Sequence, residues 1–418
     1  MTLRFKTTTR QLPVGQGGMM LTVIERQDGA AFRFVFDCGS LNREHLQQGM
    51  ESVELAGLEV LFISHLDQDH VNGVDALLTR APVDTVVLPG LDALSITATA
   101  ALAADCEALS GNLIQLLQDP FGWLGSRGVK RVITVSRPPG GDSPGPWVPD
   151  LLPGGDDGNQ KRDDQPFELR MRGNGRLQEK SRIGESGIEV QQLDPAGLLY
   201  LDLGWGGHQW MQWLLLPYYN PFEQVRVDAF RKAVKDVLNV PDDCSIASVR
   251  FRDKLVKVLR NSESRERLRS CYDHLSSRRN APSLSLYSGP ARNQHFWICT
   301  SRWPNGWSLN GKAGWLTTGD AELGRETMYA PWRRRFEPLL PQVAVFVLTH
   351  HGSKASVHER LLSGLRGATA LVCAAKGRKH HPDPTVPPLV RRSHLGFAQV
   401  SEQSDSEFWL TVENDPLP

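Results

Sequence analysis

Ser64-His65-Leu66-Asp67-Gln68-Asp69-His70, followed by Val71-Asn72-Gly73, places four potential metal ligands within the six positions from 65 to 70. Imidazole together with carboxylate is a ligand mix that holds divalent cations. His and Asp alternating with neutral residues can turn their side chains into one pocket from a short extended turn. The apolar run Leu58-Glu59-Val60-Leu61-Phe62-Ile63 reads as a strand that delivers this loop, and Val71 to Thr79 reads as a helix behind it. The ligands are thereby expected at the carboxyl edge of a sheet, where open α/β folds place their sites.

The bulk properties leave that site to do the specifying. At 418 residues the chain has room for two or three domains, and 40% hydrophobic content is ordinary for a globular protein. Lys plus Arg and Asp plus Glu both number 47, so net charge exerts no global pull on nucleic acid or anionic membranes. A polyanion would have to meet a local patch. The cysteines, Cys38, Cys106, Cys244, Cys271, Cys299 and Cys373, form no CxxC pair, which suits reduced thiols in a cytoplasm. Met1 to Gly18 lacks the apolar core of a signal peptide, and no apolar stretch approaches the ~20 residues of a membrane span. The expectation is a soluble, cytoplasmic protein with no membrane partner.

Strands are expected at Leu21 to Ile24, Phe32 to Phe36, Leu58 to Ile63, Val83 to Leu88 and Val129 to Val135, with helical texture from Ala93 to Leu117. From Arg137 to Gly187 the composition turns to Gly, Pro, Asp and Arg, which reads as an irregular loop. Apolar strands follow at Leu198 to Leu203 and Trp210 to Pro217, then a helical stretch from Pro221 to Asn280. Its second half carries Arg250, Arg252, Lys254, Lys257, Arg260, Arg265, Arg267, Arg269, Arg278 and Arg279, diluted by Glu263, Glu266 and Asp273. Further strands are read at Ser283 to Tyr287, Phe296 to Thr300, Gly314 to Thr318, Val343 to Leu348, Ala368 to Ala374, Phe397 to Val400 and Phe408 to Val412. Helical texture runs from Glu322 to Phe336, interrupted at Pro331, and again at Val357 to Leu365 and Val386 to Arg392. Two comparable batches of strands and helices predict two sheets sandwiched between helices.

The opening string resembles the HxHxDH signature of the metallo-β-lactamase superfamily, with Asp67 where the second His would stand. In this SHxDxDHxxG form it is similar to the metallo-β-lactamase domain of the ComEC competence proteins and their soluble relatives. Other matches follow in the family's order. Val14-Gly15-Gln16-Gly17-Gly18 resembles its VGQG turn, Asp37-Cys38-Gly39 its D-x-G, and Asn280 to Leu286 its NxxSLVL strand. Leu316 to Glu322 resembles LLTGDAE, Thr349 to Ser356 resembles HHGSxxS, and His381-Pro382 resembles the closing HP. The resemblance implies an αββα metallo-β-lactamase sandwich. Its N-terminal half would span 1–136 and its C-terminal half 280–418, with a mainly helical or irregular insertion, 137–279, between the halves.

The resemblance also implies a centre of two divalent metal ions, Zn or Mn. His65 and Asp67 would hold the first, Asp69 and His70 the second, and Asp320 would bridge them. His350 or His351, together with His381, would complete the shells. The family's additional His has no clear counterpart, although His208 and His295 are candidates. Asp67 in place of an imidazole hardens the site and shifts preference toward manganese. Such a centre supplies an activated water and a positive clamp on phosphoryl oxygens. Asp69, His351, Ser353 and Lys354 are the residues expected to take part in catalysis: Asp69 can orient the water, and Ser353, Lys354 and Ser356 form a turn that favours an anion. Lys376-Gly377-Arg378-Lys379-His380-His381 makes the C-terminal rim basic. Arg333-Arg334-Arg335 reads as a helix face, and Trp205, Trp210, Trp213, Tyr218 and Tyr219 read as core or base-stacking aromatics.

The function this predicts is a metal-dependent hydrolase, a phosphodiesterase or nuclease with nucleic acid as substrate and a two-metal-activated water. The alternatives are a small-molecule phosphoester, thioester or lactone hydrolase, and a partner-regulated effector subunit that docks another protein through the 137–279 insertion.

Overall fold

A computed structural model describes residues 5–90, 97, 101, 114–116, 119–136, 167–173, 182–183, 187–206, 209–220, 223–244, 248–275, 283–291, 297–301 and 311–414. The expected helix from Ala93 to Leu117 and the expected loop from Arg137 to Gly187 lie largely outside these residues, as do His208, His295 and Asn280 to Pro282.

The strands in chain order begin with β1 (Phe5–Gln11), β2 (Gly17–Arg26), β3 (Ala31–Ser40), β4 (Leu58–Phe62), β5 (Thr85–Pro89) and β6 (Arg131–Val135). They continue with β7 (Arg170–Arg172), β8 (Arg182–Ile183), β9 (Glu189–Leu193), β10 (Leu198–Gly206), β11 (Gln209–Tyr219) and β12 (Leu284–Pro290). The last are β13 (Trp297–Ser301), β14 (Gly314–Thr317), β15 (Val343–Val347), β16 (Thr369–Cys373), β17 (Gly396–Val400) and β18 (Phe408–Asn414). One sheet has the order β13-β18-β1-β2-β3-β4-β5-β6-β9-β8, the other β17-β16-β15-β14-β12-β11-β10-β7. Residues 189–219 therefore supply β9 to the first sheet and β10 and β11 to the second. The helical part of the middle segment comes after them.

Alternation along the strands shows why the sheets stack. Along β4 and just past it, Leu61 and Ile63 join the apolar cluster on the outer face of the first sheet, while Val60 and Phe62 enter the cluster between the sheets. In β11, Trp213, Leu215 and Tyr219 point between the sheets, and Leu214, Leu216 and Tyr218 point to the far side. A strand with period two and both faces apolar must be covered on both sides. Helices provide the cover. On the first sheet's outer side the cluster takes in α1 (Arg43–Glu51), α3 (Val74–Arg80), which follows the short α2 (Gln68–Val71), and α4 (Pro120–Gly125). It also takes in α5 (Gln224–Leu238), α6 (Val249–Leu259) and α7 (Ser262–Cys271). The second sheet is covered by α8 (Glu326–Phe336), α9 (Glu359–Leu362) and α10 (Val386–Arg392). The layer order is αββα, as the metallo-β-lactamase resemblance implies.

Several local expectations are corrected. β1 was not foreseen: its Thr-rich Phe5–Gln11 reads as polar, yet it pairs with β2 on one side and β18 on the other. The stretch 68–80 is two helices rather than one from Val71, so Asp69 and His70 ride on a helical turn and only His65 and Asp67 stay extended. Pro331 does not interrupt α8. It sits in the helix's second turn, where it forfeits one backbone bond, and buried Met328, Tyr329, Trp332 and Phe336 hold the helix down. Arg335 is not a surface residue: it is buried, and its Nη1 and Nη2 donate to the carbonyls of Ala196 and Gly197. The helix expected at Val357 to Leu365 shrinks to α9, whose N-terminus is capped by the His358 ring accepting from Leu361 N. Trp213, Tyr218 and Tyr219 are core; the side chains of Trp205 and Trp210 lie outside the described residues. Among the described residues no helix is long and apolar enough to cross a membrane.

Candidate metal centre

Both sheets bring the carboxyl ends of parallel strands to one edge. β3, β4 and β5 are parallel in the first sheet, and β14, β15 and β16 in the second. The loop after β4 carries His65 to His70, the turn after β14 carries Asp320, and the turn after β15 carries His350 and His351. Close backbone approach makes the loop fit. A Cβ on Gly39 would lie 2.5 Å from the carbonyl carbon of Asp69, so only glycine lets β3 underlie the ligand loop. At Gly319, with φ +50, a Cβ would strike the Ser283 hydroxyl at 2.1 Å.

Two donor groups result. His65, His70 and Asp320 place ligand atoms within 4.8 Å of one another, and so do Asp69, His70 and His351. The close pairs are Asp69 Oδ2 to His351 Nε2 at 3.3 Å, His65 Nε2 to Asp67 Oδ2 at 3.5 Å and His70 Nε2 to Asp320 Oδ1 at 3.6 Å. Two ligands at ~2.1 Å from one tetrahedral ion stand about 3.4 Å apart, so these spacings match a shared cation. The Asp320 carboxylate opens two ways. Oδ1 faces His70 and His351, the latter at 3.9 Å, whereas Oδ2 faces His65 at 4.0 Å and His350 at 3.9 Å.

The histidine rings are braced from behind. Asp37 Oδ2 accepts from His70 Nδ1 at 2.8 Å, and the Cys373 carbonyl accepts from His351 Nδ1 at 2.7 Å. Ser64 donates its only hydroxyl proton to Asp37 Oδ2 at 2.7 Å, so its oxygen must accept from His65 Nδ1, 2.9 Å away. Ser283 Oγ lies 3.2 Å from the same nitrogen. Each ring is thus held at Nδ1 and turns Nε2 inward. Those three Nε2 atoms are buried and without a hydrogen-bond partner, an arrangement that suits a cation.

Electrostatics agree. Burial opposes charge on His70, yet Asp37, Asp69 and Asp320 outweigh it and hold its pKa well above the ordinary imidazole value. On His351 burial is likewise outweighed, by Asp320 and Asp69, and the pKa is raised. A proton and a cation therefore compete for the inward nitrogens. Burial works against ionisation of Asp69 and Asp320 too, but the surrounding imidazoles keep both carboxyls well below the usual range. Cys373 and Cys38 belong to neither donor group among the described residues, and burial pushes each thiol up to about 12.

The remaining expected residues lie further out. His350 and His381 belong to neither donor group among the described residues; their rings are 5.1 Å apart, centroid to centroid. Gln16 Nε2 lies 3.4 Å from His381 Nδ1, and burial lowers the pKa of His381 to about 4. Burial likewise lowers that of His350. Ser353 N donates to the His350 carbonyl and Ser353 Oγ accepts from Ala355 N, so the turn is folded on itself. Lys354 is exposed at its tip, and Ser356 Oγ is buried without a partner. Asp37, Ser64, Ser283 and Gln16 were absent from the expected site, although all lie in or beside the quoted motifs. Asp37 sits at φ +57, a conformation uncommon for a non-glycine residue and the visible mark of its special placement.

No protein-family model and no curated protein matches the chain. Among solved structures it is similar to a long form RNase Z from yeast, at 7% identity and a TM-score of 0.33 over 89% of this chain. The match spans 36% of that structure's chain.

Proposed function

We propose that this protein is a metal-dependent phosphodiesterase, a nuclease acting on a nucleic-acid strand. The observation that carries the reading is the convergence of three buried, partnerless Nε2 atoms, each ring braced through Nδ1, with Asp67, Asp69 and Asp320. His65, Asp67 and Asp320 would hold one divalent ion, Zn or Mn, and Asp69, His70, His351 and Asp320 a second. Bound there, divalent metal supplies Lewis-acid polarisation and an acidified water. Three carboxylates beside three imidazoles form a donor set hard enough for manganese.

The chain's own residues complete the chemistry. Asp37 and Ser64 fix the tautomers of His70 and His65, so that ligand nitrogens are presented without reorganisation. Asp69 contacts His351 and can accept a proton from a nucleophilic water on that side. Lys354, on the same turn as the histidine pair, would draw a phosphoryl oxygen toward the site. His350 and His381 lie beyond the donor groups, where neutral imidazoles can hydrogen-bond the substrate.

Elemental analysis of purified protein, paired with Mn²⁺-dependent cleavage of single- and double-stranded DNA and RNA and of bis(p-nitrophenyl) phosphate, tests the reading. Cleavage by wild type and its loss in Asp69→Ala are expected. Equal inertness of both proteins toward every phosphodiester, with activity on a lactone or thioester instead, would replace the phosphodiesterase by a small-molecule hydrolase.

A further inference from the structure

The chain's charges balance overall, yet its cations are not evenly neutralised. Arg10 is paired with Glu407, Arg127 with Asp75, Lys130 with Asp84 and Arg360 with Glu326. Lys354, Arg378 and Lys379 are exposed, and among the described residues none has a carboxylate within 4.0 Å. They project from the turns after β15 and β16, which also carry His351 and His381. The acids facing them are few. They are Asp383, which feels Lys354 and His380 and whose Oδ1 accepts from Thr385, and Glu402, whose Oε2 accepts from the backbone of Lys376, two carboxylates beside Lys354, Lys376, Arg378 and Lys379.

This rim is also fixed in place. Asp383 N donates to the Gly352 carbonyl at 3.1 Å, tying the 376–383 segment to the histidine turn. Gln16 reaches His381, and Arg378 N and His381 N close the turn onto the carbonyls of Ala375 and Arg378. Gly377 and His380 both take positive φ to make the reversal. A solvated loop needs no such anchoring to the metal-ligand turn, whereas a surface that sets the distance between a charged polymer and the site does.

We propose that Lys354, Arg378 and Lys379 form a ridge that binds the phosphate backbone of a nucleic-acid strand outside the scissile bond, so that polymers are preferred to isolated phosphodiesters. The inference rests on the phosphodiesterase reading for its substrate class. Phosphate contacts of this kind position a strand without reading its sequence.

The test separates the two claims. Fluorescence anisotropy of a labelled single-stranded oligonucleotide, in EDTA and at several salt concentrations, measures binding independently of turnover. Arg378→Glu/Lys379→Glu is expected to weaken binding by about ten-fold or more and to cut the salt slope by about 1.4, two contacts at ~0.7 each. Arg250→Glu/Arg252→Glu, the same charge change on exposed positions of α6, is expected to bind like wild type. In cleavage assays, the ratio of oligonucleotide to bis(p-nitrophenyl) phosphate turnover is expected to fall in the first variant only. Unchanged binding by the rim variant, or equal weakening in both variants, would overturn the ridge. So would failure of wild type to bind strands while it hydrolyses the small diester, which leaves the hydrolase reading intact. Strand binding without any cleavage would support the ridge and remove the nuclease reading. Should the double Glu variant not fold, Arg378→Gln/Lys379→Gln asks the same question with a milder change.

Discussion

Five histidines gather at the sheet edge, and they fall into two kinds. His65, His70 and His351 are buried and held by an acceptor at Nδ1; His350 and His381 are less buried and face one another at the rim. All five stand in motifs of similar strength in the sequence, so residue type does not separate them. What separates them is whether the protein has committed the far nitrogen. A ring whose Nδ1–H is already spent presents one basic nitrogen in a fixed direction, which a cation requires. His350 and His381 lie further out, the first 3.9 Å from Asp320 Oδ2 and the second 3.4 Å from Gln16 Nε2. The left-handed backbone at both His350 and His351 makes the split possible, because it sends adjacent side chains apart, with ring centroids 6.1 Å from each other.

The sharpest way to break the division is to remove the carboxylate that faces both sides of the site, Asp320, with Oδ1 toward His70 and His351 and Oδ2 toward His65 and His350. Asp320→Ala is expected to lose bound metal and on the order of 10³-fold in phosphodiester turnover, since it withdraws charge from both ion positions at once. Metal content by mass spectrometry and kcat read in parallel check this. Retention of metal by that variant would mean that the donor groups were misjudged. Next in size is the histidine pair. His351→Ala should lower the metal-to-protein ratio, whereas His350→Ala should keep it and lower turnover by a smaller factor. Equal metal loss in both would erase the distinction between the inner and outer rings.

Asp37 sharpens the comparison from behind. It touches no proposed ion position, yet it accepts from His70 directly and from Ser64, which in turn orients His65. Asp37→Asn keeps the size but offers one acceptor oxygen where Asp37 uses two, Oδ1 for Ser64 N and Oδ2 for His70 Nδ1 and Ser64 Oγ, so metal affinity should fall by about 10- to 100-fold. Ser64→Ala should cost less, because His65 keeps Ser283 as a neighbour. Isothermal titration of the metal-free proteins with Mn²⁺ ranks the two. If Ser64→Ala proved the more damaging, the relay would run in the opposite sense.

The fold was legible where hydrophobic period was strong. The strands at Leu58, Val343, Phe408 and the helix Val386–Arg392 stand where alternation and spacing put them, give or take two residues. β1 was hidden because Thr alternation carries little hydrophobic signal, and its place is set by partners 13 and more than 400 residues away, Thr22 and Thr411. That His65, Asp67, Asp69, His70, Asp320 and His351 would converge was legible because the motifs confine potential donors to a few residue types at close spacing. Their braces were not: an Asp ending a strand, a Ser before a His and a main-chain carbonyl acquire meaning only once β3, β4, β12 and β16 meet. Arg335 shows the converse, since three consecutive arginines look solvated until one of them finds the carbonyls before β10.

The smallest expected effect follows from the proton that competes with metal. In the metal-free protein the raised pKa of His70, with Asp37, Asp69 and Asp320 around it, stabilises the fold below the ordinary imidazole range, and that stabilisation is lost as pH rises through the folded value. The depressed carboxyls of Asp69 and Asp320 work the other way: their contribution is present above the ordinary carboxylate pKa and is lost as pH falls through their folded values. Between about pH 6 and about pH 9 only the imidazole side titrates, so the metal-free Tm should drift down. Bound cation does the proton's electrostatic work without titrating, and its affinity rises as the proton leaves, by up to about ten-fold per pH unit per proton displaced. The gap between the Tm with Mn²⁺ and the Tm in EDTA should therefore widen with pH in wild type. It should widen less in Asp37→Asn, where one of the carboxylates that retain the proton is gone. A gap that stays constant across the range would mean that His70 is already neutral without metal, and that its brace, rather than its charge, is all that Asp37 provides.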